Sequence, residues 1–328
     1  MTERTARQRY SLLRRRIDAG LLAIVRETRP PEMMKVTKHV IRAGGKRIRP
    51  VLTLLSCQAV GGQPRQAMHA AVAVELLHSF TLIHDDIMDH APTRRGLPSV
   101  HALWGVDSGI LAGDLILGLG YDSLQRTGSP VQIRLSTRFT KALLDVCEGQ
   151  AVDLQFPGRR SVTVREYFAM IEKKTGALFR LSTALGGLIG SGSDRQVEAL
   201  ERYGVHIGRA FQIQDDLLDV VAEERAFGKI VGGDIREKKK TFLLVRAMRK
   251  AKGSDRTSLL RAFGGDVRPA KRVRIVTEIY RRLGVLEEAR KRIHHETTRA
   301  RESISGLPRN NGTAMLGWIA GALEARTF

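Results

Sequence analysis

Apolar residues recur three and four positions apart over most of this chain and almost nowhere alternate one for one. That spacing predicts helices joined by short connections rather than strands. Residues 6–28 interleave apolar and basic positions until Pro30-Pro31 stops them. A short helix precedes Gly44-Gly45, and Pro50 opens an apolar helix that reaches Val60. The stretch from Pro64 to Asp89, with Ala70, Ala71, Val74, Leu77, Phe80 and Ile83, is apolar on most sides and predicts a buried helix. Pro92, Gly96 and Pro98 make residues 91–100 a loop. Helices are predicted over 107–125, 130–156, 164–190 and 195–222, then a loop over 223–236 holding Gly228, Gly232 and Gly233. Further helices are predicted over 241–251, 256–263, 269–282, 285–303 and 312–325, with no tandem repeat or low-complexity tract.

Composition agrees with that pattern. Aromatics make up only 5% of residues, whereas Leu, Ala, Arg and Glu are abundant, which favours helix. The 328 residues would allow two domains by length alone. A formal charge of +21 raises the question of nucleic acid, but the basic residues are dispersed, as in Arg14-Arg15-Arg16, Lys238-Lys239-Lys240 and Arg281-Arg282. Zinc-finger spacing, an RNA-binding aromatic motif and a basic arm are all absent, so no nucleic-acid partner is expected. Most of the charge reads as solvated helix faces, and some of it as attraction for anionic substrates. Cys57 and Cys147 both lie in apolar helical stretches and read as small core residues, with no disulfide framework; a cytoplasmic location follows. No run is judged long enough to span a membrane. Met1 to Arg16 lacks the apolar core of a signal peptide and reads as the start of an amphipathic helix.

Two acidic clusters of one form change the picture. Asp85-Asp86-Ile87-Met88-Asp89 and Asp215-Asp216-Leu217-Leu218-Asp219 each follow an apolar run, Phe-x-x-x-x-Asp-Asp in one case and Phe-x-x-x-Asp-Asp in the other. On a helix the first and last aspartates share a face, where like charges repel. A single Asp-Asp-x-x-Asp reads as well as a solvated helix end; two copies beside apolar surface point to cations. Hard oxygen ligands without a cysteine or histidine cluster favour magnesium, which shares its coordination with water and substrate phosphates. If both clusters serve one site, no domain boundary separates them, and residues 1–328 form a single large helical bundle with the site between facing helices.

Candidate anion-binding groups accompany them. Gly44-Gly45-Lys46-Arg47-Ile48-Arg49-Pro50 combines a glycine pair, which lets backbone approach an anion, with three cations; a helix C-cap followed by basic surface is the plainer reading. Thr93-Arg94-Arg95-Gly96 places two arginines just after the first acidic cluster. Lys174-Thr175, Gln212, Lys229 and Asp153 are individually uninformative, as is Glu148-Gly149-Gln150. His78 and His84 read first as satisfied core histidines. Gly228-Lys229 lacks the Ser/Thr of a Walker loop.

In order and spacing the blocks GGKRIRP, LLHSFTLIHDDIMD, TRRGLPSVH, EGQAVDLQF, KKTGALF, FQIQDDLLD and GKIVGGDIREKKKT, running from Gly44 to Thr241, resemble the trans-prenyltransferases, the isoprenyl diphosphate synthase family. The resemblance implies an all-α bundle around a central cavity, a homodimer, and three magnesium ions between the aspartate motifs and an allylic diphosphate. It implies Asp85, Asp89 and Asp215 as direct metal ligands, with Asp86 and Asp219 acting directly or through water. It implies Arg94, Lys174, Lys229 and Lys239 as allylic-diphosphate contacts, and Gly45, Lys46, Arg49, His78 and Arg95 as holders of isopentenyl diphosphate. Thr175 and Gln212 would lie near the developing cation. The family often has Gly where Lys238 stands.

Bulk upstream of Asp85 would set product length. Phe80 lies five before it and Thr81 four before, with Leu77 and Val74 further down. One aromatic at the fifth position and no insertion in the first motif resembles the archaeal-like geranylgeranyl type, with farnesyl and geranylfarnesyl products as alternatives. A class I terpene cyclase and a non-catalytic partner subunit are the other readings; both usually lose an aspartate motif that is present here.

Overall fold

The three-and-four spacing is realised as helices throughout the computed structural model, which describes residues 1–221, 232–265 and 267–325. In chain order these are α1 (Glu3–Glu27), α2 (Pro31–Arg42), α3 (Ile48–Ala59), a 3-10 turn (Pro64–Ala67) leading into α4 (Met68–Met88), and α5 (Val100–Trp104). Then come α6 (Val106–Gln125), α7 (Gln132–Gln155), α8 (Val164–Ile171), α9 (Ala177–Ile189) and α10 (Asp194–Val221). After the undescribed stretch follow α11 (Gly233–Arg236), α12 (Phe242–Lys250), α13 (Gly253–Gly264), α14 (Pro269–Arg282), α15 (Val285–Ser303) and α16 (Asn311–Ala325).

Helix ends follow local chemistry. The Thr2 hydroxyl accepts from the Thr5 N–H and starts α1, and Thr163 with Glu166 forms a reciprocal capping box at α8. Helix α4 packs on α6, while α9 is clasped between α3 and α10, and α15 lies along α10. One contiguous buried cluster runs from Ala6 to Leu323. Ala70, Ala71, Val74, Leu76 and Leu77 of α4 are fully buried, each leucine contributing roughly 1.5–3 kcal/mol. This packing makes α4 and α10 rigid supports for the acidic clusters at their ends.

Several expectations need correction. The stretch 91–100 holds a two-residue antiparallel hairpin, β1 (Thr93–Arg94) with β2 (Leu97–Pro98), because Gly96 at φ 78° and Arg95 at φ 53° fold it back on itself. The predicted helix over 164–190 contains a π turn at Glu172–Gly176. The predicted loop 223–236 ends in α11. Cys57 is buried, its thiol pushed up to about 12 by burial, but Cys147 is exposed rather than in the core. Pro64–Met88 is in fact long and apolar enough to cross a membrane by composition; 67% of its most apolar window is buried inside the bundle, where it is the central helix.

Candidate active site

Both acidic clusters sit at helix C-terminal ends. Asp85 and Asp86 lie in the last turn of α4, and the Asp89 N–H donates to the Asp85 carbonyl (2.8 Å) as α4 ends. Asp215, Asp216 and Asp219 fall in the last two turns of α10. Carboxylates there oppose the helix dipole as well as one another, so cations must compensate.

Within each cluster the second aspartate turns into the protein. Asp86 is buried and accepts from Arg94 Nε (2.8 Å). Asp216, 3% exposed, accepts from the Tyr167 hydroxyl (2.7 Å), the Phe242 N–H (2.9 Å) and Gln212 Nε2 (3.0 Å). Asp219 accepts the N–H groups of Gly233 (3.1 Å) and Asp234 (3.0 Å) and so seeds α11. Asp215 is exposed. Burial, then Asp89 and Asp153, pushes Asp85 up to about 6, although Lys174 and Arg94 act against this. Lys239, in the segment after the second cluster, brings Nζ to 3.6 Å from Asp89 Oδ2 in the first. The preceding Lys238 adopts the left-handed φ of 59° that suits a glycine, and this turn aims Lys239 at Asp89.

Among the described residues, no group of three or more carboxylates, imidazoles or thiols is gathered into a ready-made metal cage. That fits magnesium, which takes only a few carboxylates and fills the rest of its shell with water and phosphate. The under-compensated Asp85 beside Asp89 is the kind of donor set such a cation would complete.

The π turn carries Lys174 and Thr175 into the same region. Lys174 Nζ meets Asp153 Oδ2 (2.5 Å), and the Thr175 hydroxyl donates to Gln212 Oε1 (2.7 Å), which links the turn to Asp216 through Gln212. The turn rests on α7 at Gly149, where a Cβ would lie 2.8 Å from Lys174 Cα and closer still to its backbone nitrogen. A Gly149→Ala variant should therefore displace Lys174 and Thr175. We expect a melting temperature lowered by an amount equivalent to about 1–3 kcal/mol and a raised KM for the substrate that meets Lys174, read by thermal melts and steady-state kinetics.

A cationic pole stands apart from the acidic one. The Arg49 guanidinium lies 4.5 Å over the Phe179 ring and its Nη1 is 3.2 Å from His78 Nε2. Arginine can only donate, so His78 accepts there and carries its proton on Nδ1. Burial, then Arg49, Arg95, Arg47 and Arg94, holds His78 well below the usual histidine range, so it stays neutral. Arg49 Nε is buried without an acceptor among the described residues, and the guanidinium is pulled down to about 10 by burial and Arg95, against Glu75 and Asp215. Arg95 donates to the Gly44 carbonyl and passes where a side chain on Gly45 would stand, 2.8 Å from its Cζ. Lys46 is exposed at the rim.

Below Asp85, Phe80 is half-buried and stands edge-on to His84 (ring centroids 4.7 Å apart). The Thr81 hydroxyl donates to the His78 carbonyl (2.8 Å), and Leu77 and Val74 are buried deeper in α4. Lys229 lies outside the described residues.

Sequence reasoning missed the groups that hold the site together: Asp153, Gly149, Tyr167 and Asp234. Asp234 is raised well above the carboxylate range by burial, Asp219 and Asp216, and sits beside Lys239. Only the EGQAVDLQF and GGDIREKKKT blocks pointed towards any of these; Tyr167 lies in none of them.

Residues 30–282 match the polyprenyl synthetase family. The chain is 42% identical over 305 residues to a short chain isoprenyl diphosphate synthase of Methanothermobacter thermautotrophicus, covering 92% of this chain and 93% of that one. It is also 42% identical over 236 residues to a geranylgeranyl diphosphate synthase of Methanosarcina mazei, covering 71% and 73%. Its fold superposes on the solved geranylgeranyl pyrophosphate synthetase of Pyrococcus horikoshii with a TM-score of 0.92, 37% identity and 98% of both chains covered. With paired acidic helix ends, a separate cationic pole and this likeness over nearly the whole chain, the protein belongs to the polyprenyl synthetase family.

Proposed function

We propose that this chain is a short-chain trans-prenyltransferase that condenses isopentenyl diphosphate with allylic diphosphates and releases geranylgeranyl diphosphate. One observation carries the reading: an acidic pole in which burial, Asp89 and Asp153 push Asp85 up to about 6 stands apart from a basic pole of Arg49, His78 and Arg95, where Arg49 Nε is buried without an acceptor among the described residues. Two diphosphates can be held differently by such a pair, one through metal and one through side chains alone.

Asp85, Asp89 and Asp215 would hold three magnesium ions, with Asp86 and Asp219 as supports, and the metal supplies charge neutralisation for the departing allylic diphosphate. Arg94, Lys174, Lys229 and Lys239 bind that diphosphate and stabilise the charge it gains as the carbon–oxygen bond breaks. Gly45, Lys46, Arg49, His78 and Arg95 hold isopentenyl diphosphate so that its double bond faces the allylic carbon. The Thr175 hydroxyl and Gln212, locked together, present oxygen dipoles towards the positive charge on that carbon. Loss of a proton to the released diphosphate completes the condensation, and the buried α4 and α9 faces keep water from the cation. Incubation of purified protein with isopentenyl diphosphate and each allylic primer, followed by sizing of the dephosphorylated alcohols, tests this; absence of any elongated alcohol refutes it.

The working unit is a homodimer of single-domain chains located in the cytoplasm. Helices α5 and α6 turn Leu103 (48% exposed), Val106 (50%), Ile110 (43%) and Leu111 (59%) outward on one face, an apolar surface that a second copy would cover. The double variant Ile110→Arg, Leu111→Arg should sediment as a monomer, whereas the parent sediments at twice that mass.

A further inference from the structure

We propose that Arg47 and Glu75 are positioning residues that set the isopentenyl diphosphate half-site without touching substrate. The inference rests on the function proposed above. Arg47 stands between Lys46 and Arg49 in the basic run, yet its side chain points the opposite way and is 1% exposed. Each nitrogen of its guanidinium is engaged: Nη1 donates to Glu75 Oε1 on α4 (2.6 Å), Nε to Asp18 Oδ1 on α1 (2.9 Å), and Nη2 to the Ile41 carbonyl at the end of α2 (2.8 Å). One fork therefore joins three helices at the start of a fourth, because Arg47 is itself the N-cap of α3.

The backbone at Arg47 is left-handed, with φ 55°. A non-glycine residue keeps that conformation only when its surroundings hold it there. On either side the loop is pinned again: the Tyr10 hydroxyl donates to the Lys46 carbonyl (2.6 Å), and Arg95 donates to the Gly44 carbonyl. The left-handed step sends Lys46 to the surface and Arg49 inward over Phe179, while Arg47 is drawn away from both. Lysine could not copy this, since a point charge cannot satisfy three acceptors in a plane.

Glu75 has a second effect. It is 2% exposed on α4, one turn before His78. Its negative charge acts on Arg47, Arg49 and Arg95 alike, holding three neighbouring guanidiniums charged where burial opposes them. Removing it would let the cations repel and the half-site spread before any diphosphate arrives.

The test is calorimetric titration of isopentenyl diphosphate onto EDTA-treated, full-length protein, which needs no turnover, together with KM values for both substrates in magnesium. Glu75→Gln and Arg47→Lys should each weaken isopentenyl diphosphate about 10-fold by both measures, by loss of a charge-assisted hydrogen bond. The KM for the allylic primer should stay within about twofold. Asp18→Asn, at the half-exposed end of the same fork, should weaken it about threefold and decides the matter if the buried variants do not fold. Unchanged isopentenyl diphosphate affinity in folded variants, or equal shifts for both substrates, overturns the inference. A parent protein that binds isopentenyl diphosphate but forms no product overturns the proposed reaction alone; one that binds none overturns the half-site and this inference with it.

Discussion

Asp85→Asn should lower the condensation rate about 10³-fold, equivalent to about 4 kcal/mol of transition-state stabilisation, while leaving the fold intact. Among the described residues the Asp85 carboxylate accepts no hydrogen bond, so the substitution orphans no donor. Its pKa in the fold lies above the ordinary aspartate value, at about 6. The folded state therefore favours the protonated form, and what this group contributes to stability is present at low pH and lost as pH rises through about 6. At pH 7 without metal, the asparagine variant should melt no lower than the parent. Asp216→Ala makes the contrast, because it strips the acceptor from the Tyr167 hydroxyl, the Phe242 N–H and Gln212. Each orphaned group costs about 1–3 kcal/mol, so that variant should lose activity and melting temperature together. Initial rates with labelled isopentenyl diphosphate, paired with thermal melts in EDTA, separate the two. An Asp85→Asn enzyme of near-parental rate would sink the metal-clamp assignment.

The second large effect is on product identity. Phe80→Ala should shift the main product from twenty carbons to twenty-five or more. Phe80 stands half-buried on α4, five residues before Asp85, edge-on to His84 and packed against the margin of the core. Five residues of helix span about 7.5 Å, and Leu77 lies about 4.5 Å beyond Phe80 on an adjoining face. A chain growing from the diphosphate down α4 meets the phenyl ring first and Leu77 next. Removing the ring opens room without exposing a donor or acceptor, so the condensation rate with short primers should change little. A double variant with Leu77→Ala should extend the product further. Reversed-phase sizing of the alcohols reads both, and an unaltered product length in Phe80→Ala would remove Phe80 as the floor.

Much of this protein could be read from its sequence. Helical spacing, proline stops and glycine-bearing connections located nearly every helix, because amphipathic periodicity and end signals are local properties. The two aspartate clusters, the glycine–basic run and the arginine pair were legible for the same reason: their chemistry is written in adjacent residues. What tertiary structure alone decided is how equivalent letters divide their work. Asp85 and Asp86 are neighbours in the same motif, yet the Asp85 carboxylate is pushed up to about 6 by burial and nearby carboxylates while Asp86 is bound to Arg94. Lys46 and Arg47 are adjacent cations, yet a left-handed backbone step sends one to the rim and the other into a buried fork with Glu75. The π turn that presents Lys174 packs closely against Gly149 on α7, a contact between residues far apart in the chain. Periodicity reports which face of a helix is apolar; only packing settles which polar group on the remaining face finds a partner and which is left for substrate.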